Sequence, residues 1–177
     1  MNRHRSFTAQ LGMLAMLLLG SAAAIPQQAA NRYTVEIVVF RNGGQGAALD
    51  AGATSATGGD DVEATVVATR KLGTAASRLR AAGGMRVLAH TAWTQTPAGL
   101  NSRRGVSAAN LGIAGAGISG KVMLLRGSYL NLGIDLVIDD GGRRYRISEI
   151  RNNIKADQIQ YFDNPAIGVL AVVSAGG

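Results

Sequence analysis

Residues 129–150 read YLNLGIDLVIDDGGRRYRISEI, and their pattern decides the fold class. Leu130, Leu132, Ile134, Leu136 and Ile138 recur at period two, while Tyr129, Asn131 and Asp135 fall opposite. Successive side chains of a pleated strand point to opposite faces, so this alternation predicts a strand with one face in a core. Asp139-Asp140-Gly141-Gly142 reads as a hairpin turn. Residues 143–150 then return as an antiparallel partner with Tyr145 and Ile147 facing inward.

Downstream, residues 151–173 read RNNIKADQIQYFDNPAIGVLAVV. A polar run leads to Tyr161 and Phe162 and then into Asp163-Asn164-Pro165, which predicts a tight turn. Proline fixes its own φ and pushes Asn164 out of the α region, and Asp163 is placed to bond the backbone two residues on. Ile167 to Val173 is apolar on both faces and reads as an interior strand.

Upstream, Lys121 to Arg126 (KVMLLR) reads as strand. Leu100 to Gly120 is a loose Gly- and Ala-rich connection. It contains a formal G-x-G-x-x-G at Gly115 to Gly120, but a dinucleotide fingerprint needs a strand before it and a helix after it, and neither is present. Met85 to Gln95 is a strand ended by Pro97. Strict alternation puts Met85, Val87, Ala89, Thr91, Trp93 and Gln95 on one face and Arg86, Leu88, His90, Ala92 and Thr94 on the other.

Leu72, Ala75, Ala76, Leu79 and Ala82 recur at three- and four-residue spacing, predicting a helix between Lys71 and Ala82 that Gly83-Gly84 stops. Asn42 to Asp61 collapses to Gly, Ala, Ser, Thr and Asp and reads as a flexible loop. Tyr33 to Phe40 (YTVEIVVF) is a β-branched run with Tyr33, Val35, Ile37 and Val39 on one face and Thr34, Glu36, Val38 and Phe40 on the other. Both faces are partly apolar, which predicts a central strand. Together these elements predict an α+β fold: a largely antiparallel sheet of about five strands with one main helix, opening in a ferredoxin-like or split βαβ arrangement whose helix crossover sets the first two strands parallel.

Arg3 and Arg5, the apolar run Leu11 to Leu19 and Ala22-Ala23-Ala24 compose a cleavable export signal over residues 1–24. The apolar run is too short to span a bilayer, so residues 25–177 are expected as a single periplasmic domain without a membrane span. The chain carries +7 at pH 7, two charges of which belong to the leader, so the exported product stays basic. A moderate positive charge outside the cytoplasm favours anionic envelope polymers or lipid headgroups over nucleic acid, a weak signal here because the basic residues are scattered rather than clustered. The sequence contains no cysteine, so the core relies on packing rather than disulfides.

Catalytic chemistry is thinly supplied. Without cysteine there is no thiolate nucleophile, and a zinc site would need carboxylates beside the single histidine left after cleavage, His90. No cofactor or metal is implied. A Ser-His-Asp site using His90 stays open, since such groups converge from distant segments, but nothing marks its serine. Binding chemistry is better supplied. Trp93 with Gln95 on the same face pairs an aromatic plate with an amide, as sugars require, and Arg126, Arg144, Arg146 and Arg151 suit carboxylates. Composition alone favours the plainer reading, in which Trp93 and Tyr161 fill a core and the arginines form a solvated face.

Four segments taken together resemble the CsiV family of periplasmic, peptidoglycan-binding proteins involved in cell-shape integrity. Tyr33 to Phe40 resembles its opening Y-x-V-E strand, and Val87 to Gln95 (VLAHTAWTQ) is similar to its V-L-x-H-x-x-W-x-Q segment. Gly127 to Leu136 resembles its G-x-Y-L-H-L strand, and Tyr161 to Pro165 with Gly168-Val169-Leu170 resembles its Y-F-D-H-P-x-F-G-V-L ending. Asn131, Gln160 and Asn164 stand where the family pattern has histidine, and amides neither titrate near neutral pH nor bind metal well. The resemblance implies a non-enzymatic role in the envelope. It points to His90, Trp93, Gln95, Tyr129, Arg151, Tyr161 and Asp163 as ligand-binding residues, to which Arg126 is added for its charge. The expected partner is peptidoglycan, glycan and stem peptide; the alternative is an adaptor that binds another envelope protein without glycan contact.

Overall fold

The computed structural model describes residues 32–43, 61–68 and 71–176. The leader expected at 1–24 and most of the loop expected at 42–61 lie outside these residues. The elements in chain order are β1 (Tyr33–Arg41), β2 (Ala64–Val67), α1 (Gly73–Ala81), β3 (Arg86–Gln95), β4 (Ala98–Gly99), β5 (Val106–Ser107), β6 (Ile118–Arg126), β7 (Leu130–Asp140), β8 (Arg143–Arg151), β9 (Gln160–Asp163) and β10 (Ile167–Ala175).

They form two sheets rather than the one expected: β2-β3-β1-β10-β9, and β4-β6-β7-β8 with β5 on β6. Among the described residues every pairing between these strands is antiparallel except that of β4 with β6. The sheets share one core. Val35, Ile37, Val39, Trp93, Val169, Ala171 and Val173 of the first meet Leu124, Leu132, Ile134, Leu136, Ile138, Tyr145 and Ile147 of the second. A smaller cluster lies on the outer face of the first sheet, where Leu72 and Ala76 at the start of α1 cover Val38, Phe40 and Val172. The mostly antiparallel α+β class and the single α-helix among the described residues agree with the sequence reading. So do the faces of β1, β7 and β8, the central place of β1 and the interior place of β10.

Three features differ. The first is the opening: β1 and β3 run antiparallel, so there is no parallel βαβ crossover. The short β2 begins opposite Gln95, at the Tyr33 end of the sheet. The helix then carries the chain onward to the Arg86 end, and β3 returns. A crossover helix must run back against its strand; this one continues it. The second is a bulge in β3. Val39 pairs Ala89 but Phe40 pairs Val87, leaving Leu88 as an extra residue. An extra residue inverts the alternation beyond it. Val87 therefore joins Phe40 under the helix, while Leu88 and Ala89 pack on the main core.

The third is the connection over 100–120, which carries two short 3₁₀ turns and β5. It buries Val106, Ala108, Leu111 and Ile113 in the main core. Its glycine pattern serves close backbone approach: Gly120 has φ +102°, and a Cβ there would stand 2.1 Å from the Asp135 carbonyl oxygen. Among its neighbours, Ala108 N–H donates to the Gly120 carbonyl at 2.9 Å. Gly120→Ala combines a forbidden contact with a strained φ, and should cost about 2 kcal/mol or more. Urea midpoints of the two proteins check this, and an unchanged midpoint rejects it.

The hairpin turn is Gly141-Gly142, at φ 64° and 82°, with Asp139 Oδ1 accepting the Gly142 N–H at 3.0 Å. Asp140 stays in β7 and ties the sheets together, its carboxylate taking Arg41 of β1 and Arg86 of β3. Arg41 also lies 5.3 Å over the Tyr145 ring. Partial burial opposes ionisation of Asp140, but the hydrogen bonds and charges of Arg41 and Arg86 outweigh it and hold its carboxyl below the ordinary 3.8. A carboxyl depressed by folding stabilises the protein above its unfolded-state value, and that contribution is lost as pH falls through the folded value. Stability should therefore drop below about pH 4, and Asp140→Asn should shrink the drop. Urea midpoints at about pH 3 and about pH 6 measure it; an unchanged drop in the variant dismisses the clamp.

Candidate functional site

The candidate residues divide into four places. Trp93 and Gln95 are fully buried, and Trp93 Nε1 donates to Gln95 Oε1 at 2.7 Å. The amide that was to face a sugar instead satisfies the indole N–H inside the core. Burial without a partner would cost that N–H free energy, so the spacing W-x-Q has a structural reason. Neither residue presents a surface to a ligand.

His90 lies on the opposite face of β3, as alternation predicts. Its Nε2 is 2.7 Å from Glu36 Oε1. The Glu36 carboxylate is only 2% exposed, and it also accepts the Leu72 N–H at 3.0 Å and the Lys71 N–H at 2.8 Å. These amides lead into α1, which has no side-chain cap and no acid in its first turn. Glu36 of the neighbouring strand supplies the negative charge that the helix N-terminus favours. His90 is thus tied to the anchor of the helix.

Arg126 and Tyr129 stand at the β6–β7 connection. The Arg126 guanidinium lies 5.3 Å over the Tyr33 ring and bonds its hydroxyl, which ties the two sheets at this end. Tyr129 is 61% exposed.

Arg151, Tyr161 and Asp163 do come together, at the edge where β8 meets β9. Arg151 Nη2 donates to the Tyr161 carbonyl at 3.0 Å, its guanidinium lies 5.5 Å over the buried Phe162 ring, and Glu149 pairs with it at 3.0 Å. The Tyr161 ring is stacked on Phe40, centroids 6.4 Å apart and planes within 12°, yet Tyr161 is 44% exposed. It forms an open plate backed by a core ring. Burial, then the adjacent Asp163 carboxylate by charge and hydrogen bond, push the Tyr161 hydroxyl pKa above its ordinary value. The turn beyond belongs to Asn164 rather than Asp163: Asn164 Oδ1 accepts the Ala166 and Ile167 N–H groups, both at 2.8 Å. Asp163 is left facing solvent beside the ring.

Tyr161 pairs with Leu170 across the strands. Leu170 with Leu79, Ile159, Arg78 and Lys71 lines a groove of about 470 Å³ between α1 and β10. The sequence reading missed Leu79 and Ile159 as surface-forming residues. For Ile159 the signal was the alternation Ile159, Tyr161, Asp163 within a polar run. Asn131, in a histidine position of the resembling pattern, is buried; its Oδ1 accepts the Asn153 N–H at 3.0 Å, holding Asn153 at φ 52°. No helix among the described residues is long and apolar enough to cross a membrane. Comparisons with protein-family models, curated proteins and solved structures gave no match.

Glu36→Ala would strip the acceptor from two backbone N–H groups and from His90 at a buried position. A loss of about 2–4 kcal/mol is expected, with reduced helical signal in far-ultraviolet circular dichroism. A variant as stable and as helical as the parent would show that Glu36 does not anchor α1.

Proposed function

We propose that this chain is an exported, non-catalytic module of the cell envelope that binds peptidoglycan. The observation that carries the reading is the exposed Tyr161 ring laid parallel to the buried Phe40 ring beside the Asp163 carboxylate. A rigid aromatic plate accepts the C–H face of a sugar, and an adjacent carboxylate accepts its hydroxyl hydrogens. Arg78 on the groove bank offers donors to the carboxylates of stem peptides. The leader motif, the basic charge and the resemblance of residues 161–170 to the family ending support the same reading. Trp93 and Gln95 no longer belong to the contact set, since they lie in the core.

Retention of the protein on purified sacculi tests this, at salt above physiological strength where surface charge is screened. Tyr161→Ala should weaken retention about tenfold, the usual worth of one aromatic platform. Asp163→Asn should weaken it less. Folded variants retained like the parent would remove this surface, and retention that disappears with modest salt would remove the glycan reading in favour of a protein partner.

A further inference from the structure

The outer face of the first sheet is covered by α1 only toward the Arg41 end. At the other end a cavity of about 390 Å³ remains, within the range of small-ligand sites. The sheet rows Thr94–Thr34–Ser174 and Ala92–Glu36–Val172 run beneath it. Lys71 forms one wall and Asp157 the other, and their side chains meet at 3.1 Å.

The pair and the lining around it have three relevant properties. Both side chains are more than half exposed, at 55% and 57%, and exposed pairs hold each other weakly. Asp157 is nevertheless held in place: it sits at φ 62°, its N–H donates to the Val173 carbonyl at 2.7 Å, and Ser174 Oγ donates to its Oδ1 at 2.6 Å. The Ser174 hydrogen bond, then Lys71, keep its carboxyl ionised below the ordinary range. Finally, the rest of the lining is small: Val67, Ala68 and Ala175 with the threonine and serine hydroxyls.

We propose that this cavity binds the zwitterion of a small apolar amino acid or dipeptide, its carboxylate on Lys71 and its ammonium on Asp157. A ligand carrying both charges replaces the Lys71–Asp157 contact with two charge-assisted contacts and strands neither partner. A ligand with one charge leaves the other residue without its counter-ion. The small lining residues admit only a small side chain. The inference stands apart from the glycan surface, because it uses a different cavity and a soluble ligand.

The test is titration of the purified protein with alanine and with alanyl-alanine, each compared with propionate and with alaninamide, following amide chemical shifts. Saturable shifts around Lys71, Asp157 and Ser174 in the millimolar range or tighter are expected for a zwitterion, with the singly charged analogues weaker by about tenfold or more. Tighter binding of alanine assigns the free amino acid, and tighter binding of alanyl-alanine a dipeptide. Asp157→Asn and Lys71→Met should each lower affinity by about tenfold or more while leaving the melting temperature near that of the parent. No saturable shift with either zwitterion overturns the proposal, as does equal binding of the singly charged analogues. The analogue comparison uses the unaltered protein, so it decides the matter even where a variant is unstable. Sacculus retention is not read in this experiment; its failure would leave the cavity standing, and the reverse.

Discussion

Both faces of β1 are buried, and much of the remaining architecture depends on that constraint. Val35, Ile37 and Val39 enter the core shared by the two sheets, while Val38 and Phe40 lie beneath α1. A strand with two apolar faces has to be covered twice. The second sheet supplies one cover. The helix supplies the other, and Glu36 of the same strand holds the helix start through the Lys71 and Leu72 amides. Central pairing with β3 and β10 then satisfies the strand's backbone along its length.

The consequence is an uneven outer face. A nine-residue helix is about 13 Å long, shorter than the strands it lies on. It leaves a polar-floored cavity at one end and an aromatic edge beyond its flank. The edge is shaped by β9, whose four residues alternate between solvent and core: Phe162 fills the core under Arg151 while Tyr161 and Asp163 turn outward. The same short strand therefore contributes to packing and supplies the proposed sugar platform.

Much of the fold was legible because it follows from local periodicity. The alternation of β7 and β8, the helix between Lys71 and Ala82 and the two-faced pattern of β1 each reflect a backbone period that needs no partner to be seen. Other parts depend on partners distant in sequence. The bulge at Leu88 exists only against Phe40, β2 is four residues without a pattern of its own, and the division into two sheets depends on which faces meet. Gly120 carried a formal nucleotide signature in sequence, whereas in space it makes room for the Asp135 carbonyl.

The proposed site divides along the same line. The sequence by itself determined which side chains share a face of a strand: His90 opposite Trp93, and Trp93 beside Gln95. It also determined that the chain is basic, lacks cysteine and has a single histidine after the expected cleavage point. Only the tertiary structure decided which of those faces is wet. Trp93 and Gln95 face the second sheet and hydrogen-bond each other in the core, whereas Tyr161, with the same kind of aromatic face, lies on an edge strand backed by Phe40 and stays open. The physical reason is that alternation specifies two sides of a strand, and burial of each side is settled by the surface packed against it.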